Sequence, residues 1–241
     1  GSNGYFTHDF SELNSSQIKF RFILNTLFII RKISQHRKSG SILEIGGTVG
    51  ENYHLLQNFL KFEPYDFLLK FAVIDKDLNN TAIAQEVFKN DNNFIAISGE
   101  ASTLHGIPDD SFDLVTSNGV HNILDDPLKG ISEALRVSRV AVNLHLIVSR
   151  DEPVTYKGGG NNIIYHALTL DQVREAASAH SPVFMYRINK FWINKLKQGD
   201  DEFTDGKYLD AIGGKHIHWE TIILAHAPIF PEIDMLSELI A

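Results

Sequence analysis

Residues 42–56 decide the fold, and they read Ile-Leu-Glu-Ile-Gly-Gly-Thr-Val-Gly-Glu-Asn-Tyr-His-Leu-Leu. The apolar start predicts a short strand, the glycines predict a sharp turn, and the remainder predicts the first turns of an amphipathic helix. Gly46, Gly47 and Gly50 free the backbone to bend and allow a ligand to approach without interference from a Cβ atom. The stretch therefore predicts a strand, a candidate binding turn and a helix, although a tight turn without a ligand would use the same glycines.

Glu44 lies two positions before the first glycine and bears on the kind of ligand. A turn for a pyrophosphate gathers backbone N–H groups and avoids a nearby anion, whereas a carboxylate favours a cationic or hydroxyl-bearing ligand. The spacing G-G-x-x-G also differs from the dinucleotide fingerprint G-x-G-x-x-G. Both features disfavour a nicotinamide-dependent oxidoreductase.

A second apolar stretch, 69–74, predicts another strand that ends at Asp75. In a βαβ unit, an acidic residue at this place faces the ribose of a ligand bound over the first turn. Asp77 is a candidate N-cap for a helix that continues to about Lys89. An ordinary turn aspartate is the alternative interpretation of Asp75.

The motifs that follow resemble those of a known family. Gly99-Glu100-Ala101 comes after a predicted strand at 94–98, and Ile107-Pro108-Asp109-Asp110-Ser111 leads into the predicted strand Phe112–Asn118. Over about residues 40–150 this order is similar to that of class I S-adenosylmethionine-dependent methyltransferases, in particular the small-molecule group related to quinone-biosynthesis enzymes. Those proteins carry E/D-x-G-x-G-x-G, an acidic residue after strand two, G-D-A before P-D-x-S-F-D, and often a histidine after strand four.

The resemblance implies a fold, a cofactor and a set of site residues. The expected fold is a Rossmann-like, doubly wound α/β domain with a mostly parallel seven-stranded sheet and an N-terminal helical extension. The implied cofactor is S-adenosyl-L-methionine, with Asp75 on the ribose hydroxyls, Glu100 and Ala101 at the adenine edge, and Asp113 in a structural role on strand four. The predicted cofactor-binding residues are Glu44, Gly46, Gly47, Gly50, Asp75, Lys76, Glu100, Ala101 and Ser117.

Three positions depart from the family pattern. Thr48 replaces the middle glycine and adds bulk where the methionine part of the cofactor is expected, Glu100 replaces the usual Asp, and 137–140 replace a Pro-Gly-Gly turn before strand five. These departures keep an alternative open, in which the chain is a non-catalytic Rossmann-like module for ligand binding or assembly.

Periodicity predicts one domain over residues 1–241 and elements beyond the motifs. Apolar residues at helical spacing predict a long helix over 16–37, and helices alternate with strands through Val148, as in a parallel sheet. Thr169 and Gln172 predict a capping box for a helix over 170–179. Further strands are expected near 183–188 and 219–225, with a surface loop over 198–214. We expect the domain to consist of a helical extension (1–39), a cofactor-binding core (40–150), and substrate-side elements with the last strands (151–241).

Composition limits the classes of partner and the cellular location that we expect for the protein. Lys and Arg number 22 against 30 Asp and Glu, so the net charge of −8 disfavours a nucleic-acid partner. The absence of cysteine excludes disulfides and thiol catalysis and fits a reducing compartment. The longest near-apolar run, Phe22–Ile30, is far shorter than the ~18 residues that a membrane span needs. We therefore expect a cytoplasmic enzyme without a membrane or nucleic-acid partner.

The end of strand four suggests the acceptor chemistry. Its residues, Ser117-Asn118-Gly119-Val120-His121-Asn122, lack the N/D-P-P-Y/F signature of enzymes that methylate amide or nucleobase nitrogens. His121 is the candidate general base, because an ordinary imidazole pKa near ~6.5 suits the deprotonation of a hydroxyl. A buried histidine that supports the sheet is the alternative. The predicted reaction is methyl transfer to a small-molecule acceptor, most often at oxygen.

A glycine run and a set of histidines are further features of the predicted substrate side. Gly158, Gly159 and Gly160 between Tyr156 and Tyr165 are typical of a mobile lid or of a plain flexible loop. The chain has 11 histidines, of which His216 and His218 with His166 or His226 could form a metal site. We favour ordinary surface or active-site histidines and expect no metal.

Overall fold

A computed structural model describes residues 13–61, 67–158, 163–188, 217–229 and 236–240. The helices are α1 Leu13–Ser34, α2 Glu51–Leu60, α3 Leu78–Val87, α4 Pro127–Val137 and α5 Leu170–Ser178. The strands are β1 Ser39–Ile45, β2 Leu68–Asp75, β3 Phe94–Ser98, β4 Phe112–Asn118, β5 Ser138–Ser149, β6 Val154–Gly158, β7 Ile163–Ala167, β8 Val183–Ile188, β9 Ile217–Ala225 and β10 Leu236–Ile240. A short 3₁₀ helix, His121–Ile123, follows β4.

Eight strands form one sheet in the order β10-β8-β9-β5-β4-β1-β2-β3. The five strands from β5 to β3 are parallel to their neighbours, whereas β9 is antiparallel to both β5 and β8. The mostly parallel Rossmann-like sheet and the N-terminal helix confirm the predicted fold class. Seven of the strands are the predicted ones, and β10 adds an eighth at the edge, antiparallel to β8.

Helices cover both faces of the sheet, as a doubly wound fold requires. Apolar residues of α1, α2 and α3 pack with one face, to which Ile42 of β1 belongs. Residues of α4 and α5 pack with the other face, to which Leu43 and Ile45 belong. Since a strand segment buried on both faces is mostly apolar, the buried second half of β1, residues 42–45, is apolar apart from Glu44.

Local signals placed most element ends correctly. The N–H of Asn79 donates to Asp77 Oδ1 at 2.8 Å, which confirms Asp77 as the N-cap of α3. The side chains of Thr169 and Gln172 form the predicted capping box of α5. Residues 137–140, which replace the family's Pro-Gly-Gly turn, form no separate turn, because α4 ends at Val137 and β5 begins with the next residue.

The predicted lid region is a β-hairpin. Strands β6 and β7 pair antiparallel with Tyr156 opposite Tyr165, and the two rings stack with centroids 5.4 Å apart. Cross-strand pairing orders both tyrosines, which corrects the expectation of aromatic residues on an irregular loop. Residues 159–162, and the loop predicted over 198–214, lie outside the described residues.

Within the described part of the chain, no helix is both long and apolar enough to cross a membrane.

Candidate functional site

The glycine turn joins β1 to α2 under tight steric limits. Gly46 has φ +70°, and its N–H donates to the carbonyl of Ile74 at 2.7 Å. A Cβ atom on Gly46 would lie 2.2 Å from Cγ2 of Val120, the residue that follows Gly119 after β4. Glycine is therefore required here both for the left-handed backbone and for contact with the end of β4.

Thr48 occupies the place of the family's middle glycine and has a left-handed backbone conformation. Its φ is +46°, a region that costs a residue with a Cβ roughly 1–2 kcal/mol. The side chain is exposed, and the N–H donates to Asp75 Oδ2 at 3.2 Å. The left-handed backbone gives the physical reason why glycine suits this position.

Asp75 connects the end of β2 with the glycine turn. Besides Thr48, the carboxylate accepts hydrogen bonds from the N–H of Asp77 at 2.9 Å and from Asn80 Nδ2 at 3.4 Å. A carboxylate has about four acceptor positions, so it retains capacity for hydroxyl donors. The side chain is partly exposed beside the turn, and the three bonds leave about one acceptor position for a hydroxyl of a ribose.

The next strand end lies beside Asp75. The N–H of Gly99 donates to the backbone carbonyl of Asp75 at 3.1 Å, so residues 99–101 lie next to the carboxylate. Glu100 is exposed and Ala101 is buried. Lys76 is exposed on the other side of Asp75. The structure thus brings three predicted segments together at the carboxyl ends of β1, β2 and β3, where open α/β sheets bind ligands.

Glu44 is buried beneath the turn and faces α2. Its carboxylate accepts a hydrogen bond from Asn52 Nδ2, and it is 2% exposed. The Cβ position of Gly47 lies 3.0 Å from Glu44 Oε2, so the turn passes directly over the carboxylate. An acidic side chain therefore lies directly beneath the turn, at the place where the sequence predicted it.

His121 and Ser117 lie near the same strand ends, but their burial does not fit the roles that the sequence predicted for them. Both are fully buried, with Nδ1 of His121 2.8 Å from Ser117 Oγ. The imidazole packs against Gly130 of α4, and burial lowers the pKa of His121 to about 4, partly offset by the backbone of Gly130. A buried ring with this pKa fits the supporting role and not a base that titrates near neutrality. The hydroxyl of Ser117 faces this histidine, so it does not contribute to the cofactor surface.

Another histidine, which the sequence did not single out, lies beside the end of β4. His145 of β5 is in register with Asn118, and the N–H of Gly119 donates to its carbonyl at 2.9 Å. Its Nδ1 lies 3.1 Å from Thr221 Oγ1, and its ring stacks on Trp219 with centroids 4.8 Å apart. The sequence does contain a signal for His145. Asn143 and His145 are polar residues two positions apart in an otherwise apolar part of β5, so they lie on the same face of the strand.

The hairpin extends this region with aromatic side chains. Trp219, Tyr156 and Tyr165 pack around a small buried cluster that includes Ile147 and Ile217. Burial, and then the neighbouring Tyr165, raise the pKa of Tyr156 to about 12. Its phenol therefore stays protonated at neutral pH and does not fit the role of a base.

The histidines considered for a metal have other partners where they are described. Nδ1 of His166 lies 3.2 Å from Thr155 Oγ1, and Nε2 of His226 lies 3.1 Å from Ser138 Oγ. No group of three metal-ligating side chains occurs among the residues that the structure describes. His216 and the side chain of His218 lie outside them.

A comparison with family models finds one match. Residues 43–141 match a family described as a methyltransferase domain. The matched segment contains the glycine turn, Asp75, residues 99–101 and the end of β4. A search of curated protein sequences found no match.

Solved structures with this fold include three that illustrate its range. A provisionally named sarcosine dimethylglycine methyltransferase from Galdieria sulphuraria has a TM-score of 0.59 at 13% identity, over 86% of this chain and 84% of that one. The [4+2]-cyclase SpnF has a TM-score of 0.57 at 14% identity, over 85% and 80%. Phosphoethanolamine N-methyltransferase 2 from Haemonchus contortus, in complex with S-adenosylhomocysteine, has a TM-score of 0.55 at 17% identity, over 83% and 52%. At such identities the likeness concerns the fold alone.

The family match confirms the predicted enzyme class, a methyltransferase that depends on S-adenosylmethionine, together with that cofactor. The residues at the glycine turn fit the group, because they combine a partly exposed carboxylate, a glycine turn and a buried carboxyl group beneath it.

Proposed function

We propose that the chain transfers a methyl group from S-adenosylmethionine, bound over the turn 46–50, to a small organic acceptor at the end of β4. The observation that carries this proposal is the position of Asp75, whose carboxylate is partly exposed and hydrogen bonded to the turn itself. When bound, S-adenosylmethionine supplies an electrophilic methyl group. The protein has to align donor and acceptor and exclude water, and neither task requires a protein nucleophile.

The remaining predicted contacts are part of the proposal. Asp75 accepts from the ribose hydroxyls, Glu100 and Ala101 border the adenine, and Lys76 flanks it. The turn formed by Gly46, Gly47 and Gly50 approaches the methionine part, with Glu44 beneath it. Ser117 is not among the proposed contacts, because it is fully buried against His121.

Substitution of Asp75 tests the cofactor site. Asp75→Asn keeps the shape and one of the two accepting oxygens but removes the charge, so we expect the Kd for S-adenosylhomocysteine to rise about 10- to 150-fold, corresponding to ~1.5–3 kcal/mol for a charged hydrogen bond. Isothermal titration calorimetry measures this change. Asp77→Asn is the matched control, because that neighbouring side chain caps α3. An unchanged Kd in the Asp75 variant, or tight binding of NAD, would contradict the assignment.

The acceptor is proposed to be a neutral or cationic small molecule that reacts through oxygen and lies between the end of β4 and the aromatic hairpin. His145 replaces His121 as the candidate base, since it is in register with the last residue of β4 and its ring, in a residue that is 4% exposed, stacks on Trp219 and lies 3.1 Å from Thr221 Oγ1. The acidic composition supports a small-molecule acceptor over a nucleic acid and, with the absence of cysteine, a cytoplasmic location.

The two histidines give distinguishable outcomes. In a radiolabelled methyl-transfer screen of small phenols, alcohols and amines, His145→Gln is expected to lose about 10²–10⁴ in turnover on any acceptor found, with the Kd for S-adenosylhomocysteine preserved. His121→Gln is expected to keep more of the turnover per folded molecule. Equal turnover in the His145 variant and the wild type would exclude His145 as the base.

A further inference from the structure

Asn122 makes an unusual set of contacts for a buried side chain. It is fully buried in the 3₁₀ turn after β4. Its Nδ2 donates to the carbonyls of Ile147, at 3.1 Å, and His166, at 2.5 Å. Its Oδ1 accepts from the N–H of Ile147 at 2.8 Å. One amide therefore joins the segment after β4 to the backbone of β5 and to the hairpin strand β7.

The same segment contacts the glycine turn on its other side. Val120 lies against Gly46 so closely that no Cβ fits between them. The N–H of Gly119 is bonded to β5, and the carbonyl of Val120 accepts from the N–H of Ile123 at 3.0 Å. Residues 119–122 thus form a short, hydrogen-bonded connection from the turn to the hairpin.

The hairpin packs against the region proposed for the acceptor. Ala167, Tyr156 and Tyr165 join the cluster that contains Trp219, and a Cβ on Gly119 would lie 3.2 Å from the Trp219 ring. Backbone bonds also attach the segment after β7 to β5, because Leu168 donates to Ile147 and Ser149 donates to Leu168. Asn122 adds the bond that reaches from the turn side into β7 itself.

We propose that Asn122 is a positioning residue that couples the cofactor turn to the β6–β7 hairpin, so that occupation of the turn orders the hairpin beside the acceptor. This inference rests on the proposed function, since it takes residues 46–50 as the cofactor turn. The physical basis is the cost of an unpaired buried polar group: when residues 119–122 move, the carbonyl of His166 loses its amide donor. The hairpin therefore follows the position of the segment that contacts Gly46.

Hydrogen–deuterium exchange of the full chain, with and without saturating S-adenosylhomocysteine, tests the coupling. In the wild type we expect the ligand to slow exchange in residues 44–52 and also in the hairpin, the latter by about fivefold or more, the lower end of ordinary coupling between sites. In Asn122→Ala we expect the turn to respond as before and the hairpin to show no response. Asn143→Ala is the matched control, because this equally buried asparagine donates to Thr26 of α1 and should leave the hairpin response intact.

Each outcome has a separate meaning. A wild type with a protected turn and an unaffected hairpin overturns the coupling but not the proposed function, whereas a turn without protection overturns the proposed function. A hairpin response that survives in Asn122→Ala also overturns the coupling. If the alanine variant does not fold, Asn122→Asp replaces it in the experiment. The aspartate keeps the bond that it accepts from the N–H of Ile147 and loses the two bonds donated to the carbonyls of Ile147 and His166.

Discussion

Asp75 and His121 are both polar residues near strand ends, yet their surroundings give them opposite roles. The carboxylate of Asp75 is partly exposed and faces the glycine turn, where donors from a ligand can reach it. The imidazole of His121 is fully buried against α4 and hydrogen bonded to Ser117. Residue type alone made both candidates for the site, and exposure separates them.

Burial of His121 predicts a pH-dependent stability. Its folded pKa, about 4, lies below the ~6.5 of an unfolded histidine, so the unfolded chain binds more protons between these values. The stability contribution is therefore fully present above pH 6.5 and is lost as the pH falls towards 4, at up to about 1.4 kcal/mol per pH unit.

Urea unfolding of the wild type and of His121→Asn at several pH values between 4.5 and 7.5 measures this contribution. We expect the variant to be less stable near neutral pH, because the smaller side chain leaves a cavity, but to lose less free energy of unfolding on acidification. The comparison isolates His121, since His180, whose pKa is also lowered by burial, is present in both proteins. Parallel pH profiles for the two proteins would contradict the buried, neutral state of His121.

At the scale of elements, Asp113 joins four parts of the chain at the start of β4. Its carboxylate accepts from Arg37 after α1 at 2.5 Å and from Arg139 of β5 at 2.9 Å. It also accepts from the N–H of Ser41 of β1 at 2.9 Å. The side chain is 6% exposed, so these charged hydrogen bonds are poorly replaced by water. The structural role that the family resemblance implied for Asp113 has this network as its basis.

Removal of this carboxylate should destabilise the protein. We expect Asp113→Ala to lower the free energy of unfolding by about 2–3 kcal/mol, less than for a fully buried pair because both arginines are partly exposed. Asp109→Ala is the matched control, because its carboxylate is 73% exposed while bonded to Arg136, and we expect a loss below about 1 kcal/mol. Chemical denaturation of both variants measures the difference. Similar losses in the two variants would show that burial does not distinguish the two carboxylates.

At the scale of the molecule, the proposed cofactor side and the proposed acceptor side have different origins. The cofactor side uses the ends of β1, β2 and β3 and the turns directly after them. The acceptor side combines the end of β4 with His145 of β5, Trp219 and Thr221 of β9, and the β6–β7 hairpin. The first is built from short, consecutive segments, and the second from side chains that are distant in sequence.

Local patterns were therefore sufficient for most of the helices and for seven strands of the main sheet, and they supplied the proposal for the cofactor side. The strands at 94–98, 112–118 and 183–188 have the predicted bounds, and the capping box at Thr169 is confirmed. Such signals lie within a few neighbouring residues, because hydrophobic periodicity, caps and glycine turns act over one or two turns of chain. The order of the motifs then implied the fold and the cofactor.

Only the tertiary structure decided which way the polar side chains point and how deeply each is buried. It buries His121 against α4, places His145 beside the end of β4, orders the tyrosines in a hairpin and connects that hairpin to Asn122. None of these relations is visible in a local pattern, since each depends on which face of a strand is covered by an element far away in the chain. Pairing between distant strands decides which of these faces are covered. It thereby decides which polar side chains support the sheet and which can contact a ligand.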